Sequence, residues 1–480
     1  MKKFIVNLVL VVCACTMLLC GCGSTAALKD NPATDAAIIG NGGYSVVKGD
    51  YLYYVNGFLS DYKTALDDYK KDNVYGKVVY GAIYRTKLVN DKVEKDEKGF
   101  LKNTERVVPK VVGFENGGFY IVGDYIYYGT PYMQKNADGV LQNDRVSINR
   151  IKIDGTGNKE MYVTSKDVTD LDWKVYNYNN NAYVVVAEDK KVVSVHFDGK
   201  KLVNKTVVEE AGSFVLNDDL SPANEYVYYT RSKKDDEKDY TTSGNLLCKA
   251  SIITGEETVY EMDKVSTFDI KGYVNNRIYY TQAVSNTYTS LYALNASVSL
   301  KNQAPVKLSD NEYSSYYFVE GVNYTVVALD SNKNLVRLFN DNGTVKRDDI
   351  ASSISTVVGV SDNYIYYIDS STLKRVNITT KTTQTVSNIG DAEGKTFLLS
   401  DATAVDLDGR YVYVYASYTS ATKEKNDNGE ETAITSYYLN RIDTFANSMV
   451  AEFVGKMEDK HLPSEPEKDE TTGETPKWVY

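Results

Sequence analysis

Apolar residues along this chain fall in short runs of about four to eight, rich in Tyr, Val and Ile and opened by Gly, Asp or Asn turns, the pattern of strands and not of helices. Close copies of one run stand at Tyr51-Leu52-Tyr53-Tyr54, Tyr125-Ile126-Tyr127-Tyr128, Tyr226-Val227-Tyr228-Tyr229, Arg277-Ile278-Tyr279-Tyr280, Tyr364-Ile365-Tyr366-Tyr367 and Tyr411-Val412-Tyr413-Val414. Weaker copies at Ala182-Tyr183-Val184-Val185 and Tyr324-Thr325-Val326-Val327 bring the number to eight.

After each run comes a second landmark: an aliphatic residue, any residue, a basic residue, then usually another apolar one. It reads Ile148-Asn149-Arg150-Ile151, Leu335-Val336-Arg337-Leu338, Leu373-Lys374-Arg375-Val376 and Leu439-Asn440-Arg441-Ile442, with variants around Arg85 and Lys249 and copies without the cation around Ser194 and Ala293. Steps between equivalent positions are 65, 44, 55, 44, 44, 38 and 66 residues. A repeat of roughly 40 to 45 residues holding several short strands is the period of a propeller blade. The predicted fold is all-β, a β-propeller of eight four-stranded blades, with seven as the alternative. Stacked blades cover both faces of an inner strand, which explains why Tyr-Ile-Tyr-Tyr shows no clean polar alternation.

The long steps mark insertions at 61–79, 134–144, 232–244 and 419–435, each joining the Tyr-rich strand to the next one and all expected on one rim. Composition agrees with strands: 42 Tyr against 8 Pro and 7 Met. The formal charge is −11, and a nucleic-acid partner is not expected, because phosphate binding needs clustered basic charge.

At the N-terminus, Lys2 and Lys3 precede an apolar run from Phe4 to Leu19 and the ending Leu19-Cys20-Gly21-Cys22. This is a signal-peptide pattern, its apolar core of about 15 residues being short of the roughly 20 that span a bilayer. The ending resembles the lipobox of bacterial lipoproteins, a resemblance that implies acylation of Cys22 and a membrane-anchored, extracytoplasmic protein. The expected organisation is a signal peptide over 1–21, a spacer over 22–43 after the lipidated Cys22, a propeller over 44–455 and an acidic disordered tail over 456–480.

The Tyr-Ile-Tyr-Tyr strand, the Ile-Asn-Arg-Ile-Lys-Ile strand and the turn Asp154-Gly155-Thr156-Gly157 resemble the repeat of lipoprotein-receptor-type propellers, whose blades carry a Tyr-Trp-Thr-Asp signature. They are most similar to the bacterial lipoprotein branch, a group without a settled function. Here Tyr stands in place of Trp, and Thr230 and Thr281 keep the Thr without the Asp, so the receptors' ligand sites do not transfer.

Candidate chemistry is sparse. Of two His, His461 lies in the tail and His196 replaces a Lys within a strand, so it reads as a strand His and not as a general base. Beyond Cys22 the mature chain keeps only Cys248, flanked by Leu247 and Lys249 and read as packing. The nearest match to a calcium loop, Glu94, Asp96, Lys98, Gly99 and Glu105, puts a Lys on a ligand position. The recurring basic residue reads as an inter-blade hydrogen-bond donor. No metal or cofactor is expected. The Tyr residues in the insertions, Tyr62, Tyr69, Tyr132 and Tyr240, are the candidates for ligand contact. Together these features lead to the expectation of a non-enzymatic lipoprotein that binds a protein or glycan partner through loops on one face. The alternative is a carbohydrate-active propeller of the glycoside hydrolase type using paired carboxylates.

Overall fold

The computed structural model describes most of the chain between residues 27 and 457, leaving out 57–81 and shorter internal stretches such as 217–224, 261–267, 299–303, 320–324, 397–401 and 426–430. Eight antiparallel four-stranded blades form the propeller, and no helix is present among the described residues. Blade 1 runs through Ser45–Lys48, Tyr51–Val55, Ile83–Val89 and Thr104–Val108, from its first strand to its fourth. The same meander repeats over 119–163, 171–208, 214–259, 268–309, 315–351, 356–387 and 402–457. The blade number is therefore eight, and the seven-bladed alternative falls.

The two sequence landmarks are the second and third strands of each blade, and they pair in one register throughout. Tyr53 faces Arg85, Tyr127 faces Arg150, Val185 faces Ser194 and Tyr228 faces Lys249. Tyr279 faces Ala293, Val327 faces Arg337, Tyr366 faces Arg375 and Tyr413 faces Arg441. In seven blades the third strand's register against the fourth shifts directly after the landmark aliphatic residue, for example between Ile148 and Asn149 or between Leu373 and Lys374. Such a bulge adds twist, which turns the outer strand away from the ring axis.

Side chains of a strand alternate between its faces, and here both faces are dry. Leu52 and Tyr54 pack with Tyr413, Tyr415 and Leu439 of blade 8, whereas Tyr53 packs with Ile126 and Tyr128 of blade 2. Tyr127 then meets Val184 and Val186 of blade 3, whose Tyr183 and Val185 meet Val227 and Tyr229 of blade 4. The pattern continues through blades 5, 6 and 7 to Val412 and Val414 of blade 8, so each neighbouring pair shares one apolar cluster.

The ring closes by packing, without strand exchange. At the seam between blades 8 and 1, Tyr415 hydrogen-bonds Ser45 Oγ and the Tyr44 carbonyl, and Lys95 Nζ donates to the Phe453 carbonyl at 2.8 Å. Among the short strands outside the eight meanders, Ile38–Ile39, in the stretch expected to be spacer, pairs with the first strand of blade 2, Ile38 opposite Val122 and Ile39 opposite Ile121.

Near the axis the first strands crowd. A Cβ on Gly272 of blade 5 would lie 2.0 Å from the ring of Phe318 in blade 6, a ring that also packs on Tyr279 at 4.8 Å between centroids. Gly272→Ala should therefore cost about 1 to 3 kcal/mol in chemical denaturation, the range for an overfilled core. Gly359→Ala, whose Cβ would meet Leu407 Cδ2 at 3.3 Å, should cost less. Equal costs at the two positions would contradict this packing.

Candidate functional site

The polar feature that the repeat builds most often is the landmark cation. Lying opposite the third residue of the Tyr-rich strand, it points at the following blade and covers the ring two residues earlier. Arg85, Arg150, Lys249, Arg375 and Arg441 sit 4.5, 4.4, 4.2, 4.3 and 4.7 Å from the ring centroids of Tyr51, Tyr125, Tyr226, Tyr364 and Tyr411. Such cation–π contacts hold a charge that burial would otherwise disfavour.

Hydrogen bonds fix the remaining donors. The fourth strand supplies an acceptor: Glu105 for Arg85 at 2.8 Å, Asp348 for Arg337, Gln384 for Arg375 at 2.8 Å and Glu452 for Arg441 at 3.0 Å. The next blade supplies a backbone carbonyl just past its third strand. Arg337 donates to Ile378 at 3.1 Å, Arg375 to Thr444 at 3.1 Å and Arg441 to Asp91 at 2.8 Å. In three blades the recurring cation is thus an inter-blade hydrogen-bond donor, the role expected of it.

Arg85 departs from this rule. In blade 2 the carbonyl of Asp154, one residue past the position equivalent to Ile378 and Thr444, accepts from the N–H of Leu28 at 2.9 Å. Arg85 then donates to the Lys29 carbonyl at 2.8 Å and to Asn31 Oδ1 at 2.6 Å. Residues 28–31 are therefore wedged between blades 1 and 2. Asp30 takes φ 55°, Asn31 Nδ2 closes the bend on the Leu28 carbonyl at 3.1 Å, and Leu28 packs on the apolar cluster of the two blades.

Two equivalent grooves are open. Between blades 7 and 8, Arg375, Tyr364, Gln384, Asp362, Phe445 and Met449 surround a cavity of about 460 Å3. At the seam, Arg441, Arg410, Tyr411 and Asp91 border a smaller one of about 170 Å3. All these grooves lie on one rim, because the first–second and third–fourth turns of a meander share an end and the second–third connections take the other. The insertions of blades 2, 4 and 8 are second–third connections and so share the opposite rim, whereas 61–79 lies outside the described residues. That of blade 8 lengthens the middle strands to Tyr411–Lys425 and Glu431–Asp443. That of blade 4 is pinned: Arg231 holds Glu237 at 2.6 Å and Glu257 at 2.6 Å.

Of the sequence candidates, Cys22, Tyr62, Tyr69 and Tyr240 lie outside the described residues. Tyr132 is half-buried, and its N–H donates to the Arg145 carbonyl at 3.0 Å. His196 stacks on its cross-strand partner Tyr183 at 4.4 Å between centroids, and burial lowers its pKa. Burial pushes the Cys248 thiol up to about 12, so it stays protonated and unreactive at neutral pH. Sequence reasoning missed the wedge at 28–31 and the Phe445 groove. No local pattern marks either one, since both arise where non-repeat residues meet a repeat position.

No protein-family profile matches the chain, and no curated protein matches it. Solved structures similar to it include a puromycin hydrolase, with TM-score 0.42 and 11% identity, covering 72% of this chain and 54% of that one. A Mycobacterium tuberculosis puromycin-hydrolyzing peptidase has TM-score 0.38 and 9% identity over the same shares of 72% and 54%. Saccharomyces cerevisiae Sqt1 has TM-score 0.37 and 11% identity, with 71% of this chain and 83% of that one covered. The present chain spans about half the length of the two hydrolases, and at these identities the likeness shows the propeller fold alone. The matches nevertheless correct the expectation of a non-enzymatic loop-face binder and its glycoside hydrolase alternative. Two of these similar propellers belong to puromycin-hydrolysing enzymes, neither of them a non-catalytic binder or a glycoside hydrolase.

Two outcomes follow from the ion pairs. The Arg231 guanidinium holds the Glu237 carboxyl down at about 2, below its usual 4.5. A depressed carboxylate stabilises the fold above its unfolded pKa and loses that contribution as pH falls through the folded one. The stability difference between wild type and Glu237→Gln, read by urea denaturation, should close as pH falls from about 4.5 towards 2; a pH-independent difference would contradict the assignment. In Arg85→Met the wedge loses its donors, and tryptic cleavage after Lys29 should speed up several-fold while the propeller core stays intact.

Proposed function

We propose that this chain is an extracytoplasmic lipoprotein, acylated at Cys22, whose propeller works close against the outer face of the membrane with its turn rim towards the bilayer. The carrying observation is the wedge. Leu28, only six residues beyond Cys22, is hydrogen-bonded to the Asp154 turn of blade 2. Six residues reach about 20 Å at full extension, so a lipid on Cys22 holds this rim near the headgroups. Further along, Pro32 abuts Gly49 in the first turn of blade 1, and Ile38–Ile39 joins blade 2. The tether is thus bound at several points on one end of the ring, which limits tilting as well as distance. The insertion rim then faces the surrounding medium. Diacylation supplies the two hydrophobic signals that stable anchoring needs.

Cys22→Ser should abolish incorporation of an alkyne-tagged palmitate and move the protein to the soluble fraction. Orientation is read with a fluorophore on Asn90→Cys, in the third–fourth turn of blade 1, or on Lys425→Cys, at the far end of the blade 8 hairpin. In vesicles containing brominated lipids, the first should be quenched and the second not. The reverse order would overturn the orientation, and unchanged palmitate labelling in Cys22→Ser would overturn the anchor.

A further inference from the structure

We propose that the open groove between blades 7 and 8 is a binding site for a polypeptide segment of a partner, one that offers an apolar side chain followed within a few residues by a free carbonyl and a carboxamide. The chain itself supplies the precedent. In the register-equivalent groove between blades 1 and 2, Leu28-Lys29-Asp30-Asn31 occupies the space beside Arg85, with Leu28 against apolar residues and the Lys29 carbonyl and Asn31 carboxamide on the guanidinium.

The two grooves match at the ring beneath the arginine and at the acceptor on its Nε. Each arginine lies over the first ring of its Tyr-rich strand, Tyr51 or Tyr364, at 4.5 and 4.3 Å. Each Nε is held by the fourth strand, through Glu105 or Gln384, which aims the guanidinium edge at the neighbouring blade. At Arg85 both terminal nitrogens are taken by the wedge. At Arg375, Nη1 serves Tyr366 Oη and the Thr444 carbonyl, both at 3.1 Å, and Nη2 has no acceptor among the described residues. The remaining donor faces a cavity of about 460 Å3, large enough for a short peptide bend.

An apolar seat is present as well. Phe445 leaves 66% of its surface exposed at the mouth of the groove, beside Met449. An exposed phenylalanine next to an under-used guanidinium reproduces the pairing that Leu28 and Asn31 satisfy between blades 1 and 2. A neutral carboxamide or carbonyl suits the site better than a carboxylate, because Asp362 also borders the cavity. The smaller seam groove differs in that Arg441 Nη2 already holds both Asp91 and Glu452.

The probe is the fluorescein-labelled heptapeptide Ala-Leu-Lys-Asp-Asn-Pro-Ala, copied from residues 27–33, titrated by fluorescence polarisation into the full chain carrying Cys22→Ser, whose turn rim no bilayer covers. It should bind wild type, and Arg375→Met should weaken binding about tenfold, the loss of one hydrogen bond to a charged group. Phe445→Ser, at an exposed position, should weaken it several-fold without touching the fold, and a scrambled heptapeptide should bind no better than to that variant. Binding absent from wild type at about 1 mM peptide, or undiminished in both variants, would overturn the proposal. A photo-cross-linker at the peptide's leucine should map to blades 7 and 8; mapping to blades 1 and 2 would instead mean displacement of the chain's own wedge and would equally overturn it.

Discussion

Everything in this fold depends on the fact that a blade has no dry side of its own. A four-stranded sheet with apolar residues on both faces has nothing to bury them against except another such sheet. Leu52 and Tyr54 need blade 8 while Tyr53 needs blade 2, and the same division repeats at every second strand around the ring. Stability is therefore a property of neighbouring pairs, as in other repeat proteins. Closure of the ring also removes the two exposed ends that an open array of eight would leave wet.

The abundance of Tyr follows from the same constraint. Tyr53, Tyr127, Tyr128, Tyr229, Tyr279, Tyr280, Tyr366, Tyr413 and Tyr415 are all essentially inaccessible. Their rings fill the wide gap between twisted sheets, and their hydroxyls reach polar partners where these exist, as Tyr128 does at Asn158, 2.8 Å away. The landmark cations complete the arrangement. Arg337, Arg375 and Arg441 each sit on a ring, tie to their own fourth strand and reach across to a neighbour's backbone, so one side chain links two blades at the wet margin of their shared cluster.

Fold class and the equivalence of the eight positions were legible in the sequence, with the blade number narrowed to eight or seven, because each blade must repeat the same cross-strand pairing: Tyr53 opposite Arg85 is written again as Tyr366 opposite Arg375 and Tyr413 opposite Arg441. The role of the basic residue was legible for the same reason. What repetition could not reveal is any contact made once. Leu28 and Asn31 look like ordinary spacer residues, and only the position of the Asp154 turn makes them a wedge. Phe445 looks like a turn residue until Arg375 and Tyr364 of the preceding blade are placed beside it. The insertions of blades 2, 4 and 8 were set on one rim by their place between the second and third strands, yet length alone did not tell that Arg231 would tie one of them down.

The seam between blades 8 and 1 differs from an interlocked closure in one respect. Each blade is made from four strands that follow one another in the chain, so no sheet is shared between the two ends. An in-frame duplication or deletion of one repeat would therefore leave whole sheets on both sides of the junction. The gene for such a chain can change its ring size in steps of a single unit, and it can be cut and rejoined without orphaning a strand between any two units except blades 1 and 2, which the Ile38–Ile39 strand ties together.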